Sequence, residues 1–171
     1  MESINWAWKD CIGKEILKIA NYKEIYIAKN RKDINQTYFD NLKNKILVII
    51  RGFHYGFAQF NSDEEYLLKN FKIEFTLSYD AILKMLDLER GDIGVVPYTY
   101  ITYYSKFMPT MQNNYFLSNI TDSNDVLSII SKEKNKIKNQ ELIKLFDQLK
   151  AKGILKKIFQ KYGIEETLLE K

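Results

Sequence analysis

One cysteine, Cys11, and one histidine, His54, are the only thiol and the only imidazole in these 171 residues. A lone cysteine excludes an internal disulfide and any cysteine-rich metal site. Next to Ala7 and Ile12 it reads as a small packing residue. Zinc needs several nitrogen or sulfur ligands, so no metal centre is expected, and no motif implies a cofactor. His54 is the one side chain placed to shuttle protons near neutral pH. Its neighbours supply no partner at a recognisable spacing, although Asp80 or Asp92 could approach it in space. Gly-x-Ser-x-Gly, the nucleophile elbow, is missing. Gly52 and Gly56 stand without the Gly-Lys-Ser/Thr of a phosphate loop. The acidic run Asp63, Glu64 and Glu65 sits in a hydrophilic setting and reads as solvated surface. Together these absences point away from an enzyme. No apolar run approaches the roughly 18 residues of a membrane-spanning helix. Lys9, Asp10, Lys14, Glu15 and Lys18 interrupt any secretion-signal core in residues 1–20. Taken literally, the chain reads as cytoplasmic.

What is present describes a globular chain, 46% hydrophobic and 28% charged, with room for one sizeable core or two small lobes. The net charge of +4 is uneven, with 11 basic against 6 acidic side chains in residues 131–171. Those lysines alternate with acids and sit at the spacing of wet helix faces. The twelve tyrosines and ten phenylalanines lie mostly elsewhere, so charge and stacking surface do not coincide. No nucleic-acid partner is expected.

Several segments carry strand and helix signals. "EIYIAK" (24–29) alternates as a strand, and residues 30–41 read as a loop or one short helical turn. "KILVII" (45–50) is a β-branched run suited to burial on both faces of a parallel sheet. A helix is expected near Phe53, and another from the acidic residues after Ser62. "KIEFTL" (72–77) is the next strand. Ser78 caps a helix with Ile82, Met85 and Leu86 on one face, Gly91 ends it, and Pro97 stops the strand Ile93–Val96. Strand, helix and strand so close together make a crossover unit. Residues 103–125 carry no readable pattern. "VLSIIS" (126–131) is a strand, followed by two helices striped by Leu142, Leu145, Phe146 and Leu149, then by Ile154, Leu155, Ile158, Phe159 and Tyr162.

In an open α/β sheet, ligands sit beyond the carboxyl ends of strands, near exposed N–H groups of a following helix. Two junctions qualify. Arg51, Gly52, Phe53, His54 and Tyr55 follow the strand ending at Ile50, and Tyr98, Thr99 and Tyr100 follow Pro97. Polar tips on aromatic bodies suit a cleft for a small solute. The plainer alternative is that Phe53 and Tyr100 pack while His54 faces water.

The order of these motifs resembles the C-terminal two thirds of extracellular solute-binding proteins of family 3. These are two-lobed amino acid-binding components of ABC importers. The residues that carry the likeness are "EIYIAK", Asp40 to Lys45 ("DNLKNK"), "ILVII", "RGFHY", Leu88 to Val96, "VLSIIS" and "LKKIFQKYG" (155–163). "INWAWKD" (4–10) resembles the last piece of a first lobe, which brings Trp8 toward the cleft. The resemblance implies a periplasmic binding protein type II-like α/β fold: a three-layer α/β lobe plus C-terminal helices of a partial first lobe. Residues 1–23 would be a remnant of that lobe and the hinge, 24–120 the second lobe, and 121–171 the return strand and helix pair. Most of the first lobe would precede Met1. The implied function is binding a small polar solute between lobes for an ABC importer, with transporter membrane subunits as partners and a periplasmic location. The alternative is a ligand-sensing or degenerate non-transport domain acting through a protein partner.

Departures from the family pattern fall on the ligand contacts. Phe53 stands where a hydroxyl residue helps hold the ligand carboxylate, and Thr99 near the place of the acid that pairs with its ammonium. Gly94 replaces the aspartate of the Gly-x-x-Asp turn, with Asp92 close by. The expected cleft therefore favours aromatic contact and neutral hydrogen bonds, with His54 at its mouth in a recognition role.

Overall fold

Period-two alternation decides which side each strand buries, and it does so cleanly in the middle of this chain. The computed structural model describes residues 2–6, 13–108, 113–132 and 137–169. The strands are β1 (Gly13–Lys29), β2 (Ile46–Ile50), β3 (Lys72–Thr76), β4 (Ile93–Pro97) and β5 (Tyr115–Lys132). The helices are α1 (Glu64–Asn70), α2 (Tyr79–Asp87), α3 (Tyr98–Phe107), α4 (Asn139–Ala151) and α5 (Ile154–Tyr162). The sheet order is β3-β2-β4-β1-β5. β2 runs parallel to both β3 and β4, and β1 pairs antiparallel with β4. The crossover from β3 through α2 to β4 therefore steps over β2. The chain divides into two compact units, residues 23–124 and residues 1–22 with 125–171.

The 23–124 unit has three layers. On one face of the sheet Tyr26, Ala28, Leu47, Ile49, Ile93 and Val95 pack with Phe39 and with Leu67 of α1. On the other, Ile25, Ile27, Val48, Ile50 and Val96 pack with Ile82, Leu83 and Leu86 of α2 and Ile101 of α3. Each Val, Leu, Ile or Phe among them contributes about 1.5–3 kcal/mol by leaving water. Ser78 caps α2 as expected, its Oγ accepting from the Ala81 N–H at 3.2 Å. Asp63 caps α1 in the same way through the Tyr66 N–H at 2.8 Å. Gly94 is where α2 comes closest to the sheet: a Cβ there would lie 2.5 Å from Ile82 Cγ2. A side chain at this position would press on Ile82, Leu86 and Ile27.

Three expectations need correction. No helix begins at Phe53: residues 51–55 form a turn and Gly56–Ala58 a single 3-10 turn. Gly91 does not end α2; Glu89 takes the left-handed conformation instead, at φ 56°. "EIYIAK" and "VLSIIS" are parts of much longer strands, β1 and β5, whose polar residues hid the alternation. The unreadable stretch contains the end of α3 and the first half of β5. Cys11 lies outside the described residues.

In the other unit, Ile19, Ala20 and Phe159 are buried, with Leu17, Ile129, Phe146, Ile164 and Leu168 against them. The Leu169 N–H donates to the Ile19 carbonyl at 2.9 Å, and Glu2 forms an antiparallel bridge to Ser128. The helix stripes are only partly used. Phe159 is buried, whereas Leu145, Ile154, Ile158 and Tyr162 remain exposed.

Candidate functional site

The carboxyl ends of β2, β3 and β4 form one edge of the 23–124 unit, and the residues just past them are aromatic or apolar. Phe53 is 42% exposed after β2, Leu77 is 86% exposed after β3, and Tyr98 is exposed after β4. Large side chains at such exposure are normally turned inward. Phe53 meets Tyr79 edge-on at 6.3 Å between ring centroids, Tyr79 meets Tyr100 at 5.0 Å, and Tyr100 meets Tyr104 at 4.9 Å. Tyr100 and Tyr104 each donate their hydroxyl to Asp80 Oδ1 at 2.7 Å. Those two bonds hold the Asp80 carboxyl below its usual range, and burial, followed by the bond to Asp80, pushes the Tyr100 hydroxyl up. Lys23 Nζ lies 5.0 Å from the centre of the Tyr98 ring.

The first junction behaves differently from its expected role. Arg51 is committed to the protein: its guanidinium pairs with Glu64 at 3.3 Å and lies over the Phe75 ring. Gly52 supplies the left-handed turn at φ 78° that carries the chain off β2. Tyr55 is a core residue at 1% exposure, its hydroxyl accepting from the Ile50 N–H at 2.9 Å. His54 is half-buried, and its Nδ1–H donates to the Phe60 carbonyl at 2.8 Å. It thereby braces a turn in which Gln59 and Phe60 both hold positive φ. Neither Asp80 nor Asp92 is its partner. Asp92 sits at the opposite edge of the sheet, accepting from the Ile46 N–H at 2.7 Å.

Asp122 on β5 was not anticipated. Its carboxylate accepts from the Gly56 N–H at 2.6 Å, the Phe57 N–H at 2.8 Å and the Tyr26 hydroxyl at 2.6 Å. The backbone donors that open the 3-10 turn are thus occupied by the protein's own carboxylate. Burial pushes this carboxyl up, against the pull of its three donors. Gly56 is required here because a Cβ would overlap the Asp122 main chain. Sequence offered no signal for a pair 66 residues apart. Asp80, Tyr79 and Tyr104 were also missed as site residues, although the i, i+4 spacing of Tyr100 and Tyr104 was visible.

At the second junction Tyr98, Thr99 and Tyr100 form the first turn of α3, which has no side-chain cap. Thr99 is half-buried and brings no charge. Trp8 lies outside the described residues. No group of three or more His, Cys, Asp or Glu side chains among the described residues could hold a metal. No described helix is long and apolar enough to cross a membrane.

No family model and no curated protein matches this sequence. Solved structures do match in shape. A protein designated Tv2483, bound to L-arginine, superposes with a TM-score of 0.70 at 11% identity, covering 98% of this chain and 65% of that one. The GluR0 ligand-binding core in complex with L-glutamate gives 0.62 at 13%, covering 84% and 60%. The substrate-binding protein of an amino acid ABC transporter gives 0.58 at 20%, covering 85% and 63%. The chain therefore has the periplasmic-binding-protein type II fold and spans less than two thirds of these relatives' length.

Proposed function

We propose that residues 24–120 are the second lobe of a two-lobed solute-binding fold. In this reading the aromatic edge senses a small polar solute, and the response passes to a protein partner. Residues 1–23 are then a first-lobe remnant with the hinge, and 121–171 are the return strand and first-lobe helices. One observation carries the reading: the groups that would hold a free amino acid by its charged ends are absent or already used. Phe53 offers no hydroxyl, Thr99 no charge, and the Gly56 and Phe57 N–H groups are taken by Asp122. What remains is stacking surface with phenol groups, suited to a solute of another kind. No catalytic role is proposed. The fold is also that of a ligand-binding core, as GluR0 in complex with L-glutamate illustrates.

The second reading is the substrate-binding component of an ABC importer, outside the cytoplasm and in contact with the transporter's membrane subunits. The ABC-transporter protein among the matches supports it. A thermal-shift panel of amino acids, amines, sugars and carboxylates separates the two. The sensing reading expects no stabilisation by free α-amino acids and a rise in Tm with some other polar solute. A rise confined to free α-amino acids overturns it in favour of import.

A further inference from the structure

We infer that the solute recognised at this edge is a neutral polyhydroxylated ring, a sugar or cyclitol, which lies against the aromatic side chains and donates hydroxyls to Asp80. The inference rests on the proposed solute-binding reading of residues 24–120 and names the substrate class of that site. Donors along the edge are spent inside the protein. Tyr100 and Tyr104 give their hydroxyl hydrogens to Asp80 Oδ1. The Ala81 N–H goes to Ser78 Oγ, and the Phe53 N–H to the Ile50 carbonyl. Arg51 pairs with Glu64. What remains is an acceptor: Asp80 is exposed, and its Oδ2 takes no hydrogen bond from the described residues. The two phenols fix the orientation of that oxygen. A solute at such an edge has to bring donors of its own.

Charge and shape narrow the class. Lys84 stands at i+4 from Asp80 on α2, so a protein cation already shares its helix face one turn along. Lys23 Nζ likewise occupies the neighbouring Tyr98 ring, 5.0 Å from its centre. An anion fares no better, because it meets the Asp80 charge and an arginine already paired. Neutral hydroxyls satisfy Oδ2 without either conflict. Successive rings from Phe53 through Tyr79 and Tyr100 to Tyr104 meet at 80°, 40° and 47°. No neighbouring pair in that series offers the parallel walls that would sandwich a flat heterocycle. A puckered ring fits instead. Its axial C–H groups, slightly positive, lie on an electron-rich aromatic face while its rim hydroxyls reach Oδ2. Phe53 and Leu77 supply the uncovered apolar surface for the rest of it.

The test uses the full chain and amide-resolved NMR. The probes are methyl β-D-glucopyranoside, methyl α-D-mannopyranoside and myo-inositol. Tetrahydropyran serves as a ring without hydroxyls, and n-butylammonium as a cation. At least one polyol should shift amides at residues 52–54, 77–81 and 98–101 saturably. It should bind at least about tenfold more tightly than tetrahydropyran, the worth of one hydrogen bond to a charged group. Asp80→Asn, which removes the charge and one acceptor, should cut that advantage at least about threefold. Phe53→Ala should weaken polyol binding about two- to tenfold, and Phe53→Tyr should restore it. Equal binding of tetrahydropyran, tighter binding of n-butylammonium at these residues, or indifference to Asp80→Asn overturns the inference and leaves the solute-binding reading intact. Response to none of the polyols also overturns the inference. Failure of the broad solute panel as well would overturn the solute-binding reading.

Discussion

Replacing Asp122 by alanine removes the acceptor for three donors at once: the Gly56 and Phe57 N–H groups and the Tyr26 hydroxyl. Tyr26 is 4% exposed and Gly56 and Phe57 are half-buried, so water can reach the amides more readily than the phenol. A buried donor left without a partner costs about 1–3 kcal/mol. With partial rescue by water, the expected loss is about 2–4 kcal/mol. That is a large share of the roughly 5–15 kcal/mol that holds an ordinary domain together. Tyr26→Phe removes one donor and leaves Asp122 with two, so it should cost less, about 1–2 kcal/mol. The double variant should then cost less than the two singles added, by about 1–2 kcal/mol, because the orphaned hydroxyl is gone. Urea unfolding of the four proteins supplies these numbers. Hydrogen exchange adds a local readout, since the Gly56 and Phe57 amides should lose protection in Asp122→Ala. A loss below about 0.5 kcal/mol, or strict additivity, would refute the claim that Asp122 pins this turn.

Gly94→Ala should destabilise by about 1–3 kcal/mol, because its Cβ would press on Ile82, Leu86 and Ile27; an unchanged urea midpoint would contradict that packing. Asp80 has a folded pKa below its unfolded value of about 3.9, so its stabilising contribution is complete above that pH and disappears as pH falls through the lowered value. Acid unfolding should therefore show a smaller loss between pH 4 and the lowered value in Tyr100→Phe/Tyr104→Phe, and an identical profile would sink the assignment. Ile137, Leu145, Ile154, Ile158 and Tyr162 are exposed in the other unit, so static light scattering at tens of micromolar should report self-association, whereas a clean monomer would count against an open apolar face there.

Much of the fold was legible because its signals are local. Leu47 to Ile50 of the run "ILVII" are buried on both sides of the sheet, and Ser78 starts α2 where a hydroxyl can accept an amide. The long strands were half-hidden because Lys14, Glu15, Lys18, Asn21 and Lys23 break the apolar alternation of β1 without breaking its backbone pairing. The helix expected at Phe53 failed for a tertiary reason, since Asp122 captures the donors that would open it. Among candidate site residues, Phe53, Tyr98 and Tyr100 stand on the aromatic edge, while Tyr55 turned inward and His54 braces a loop. Distinguishing those outcomes needs the third dimension. A phenol at a strand end reaches either solvent or the strand's own backbone, and both look alike in one letter.

The central claim is that solute meets the carboxyl edge of β2, β3 and β4. Amide-resolved chemical shifts, recorded while a stabilising solute is titrated into the chain, test it most directly. The account predicts saturable changes clustered at residues 52–54, 77–81 and 98–101. Changes centred instead on Leu17, Phe146 and Leu168, which line a shallow groove in the other unit, would contradict it.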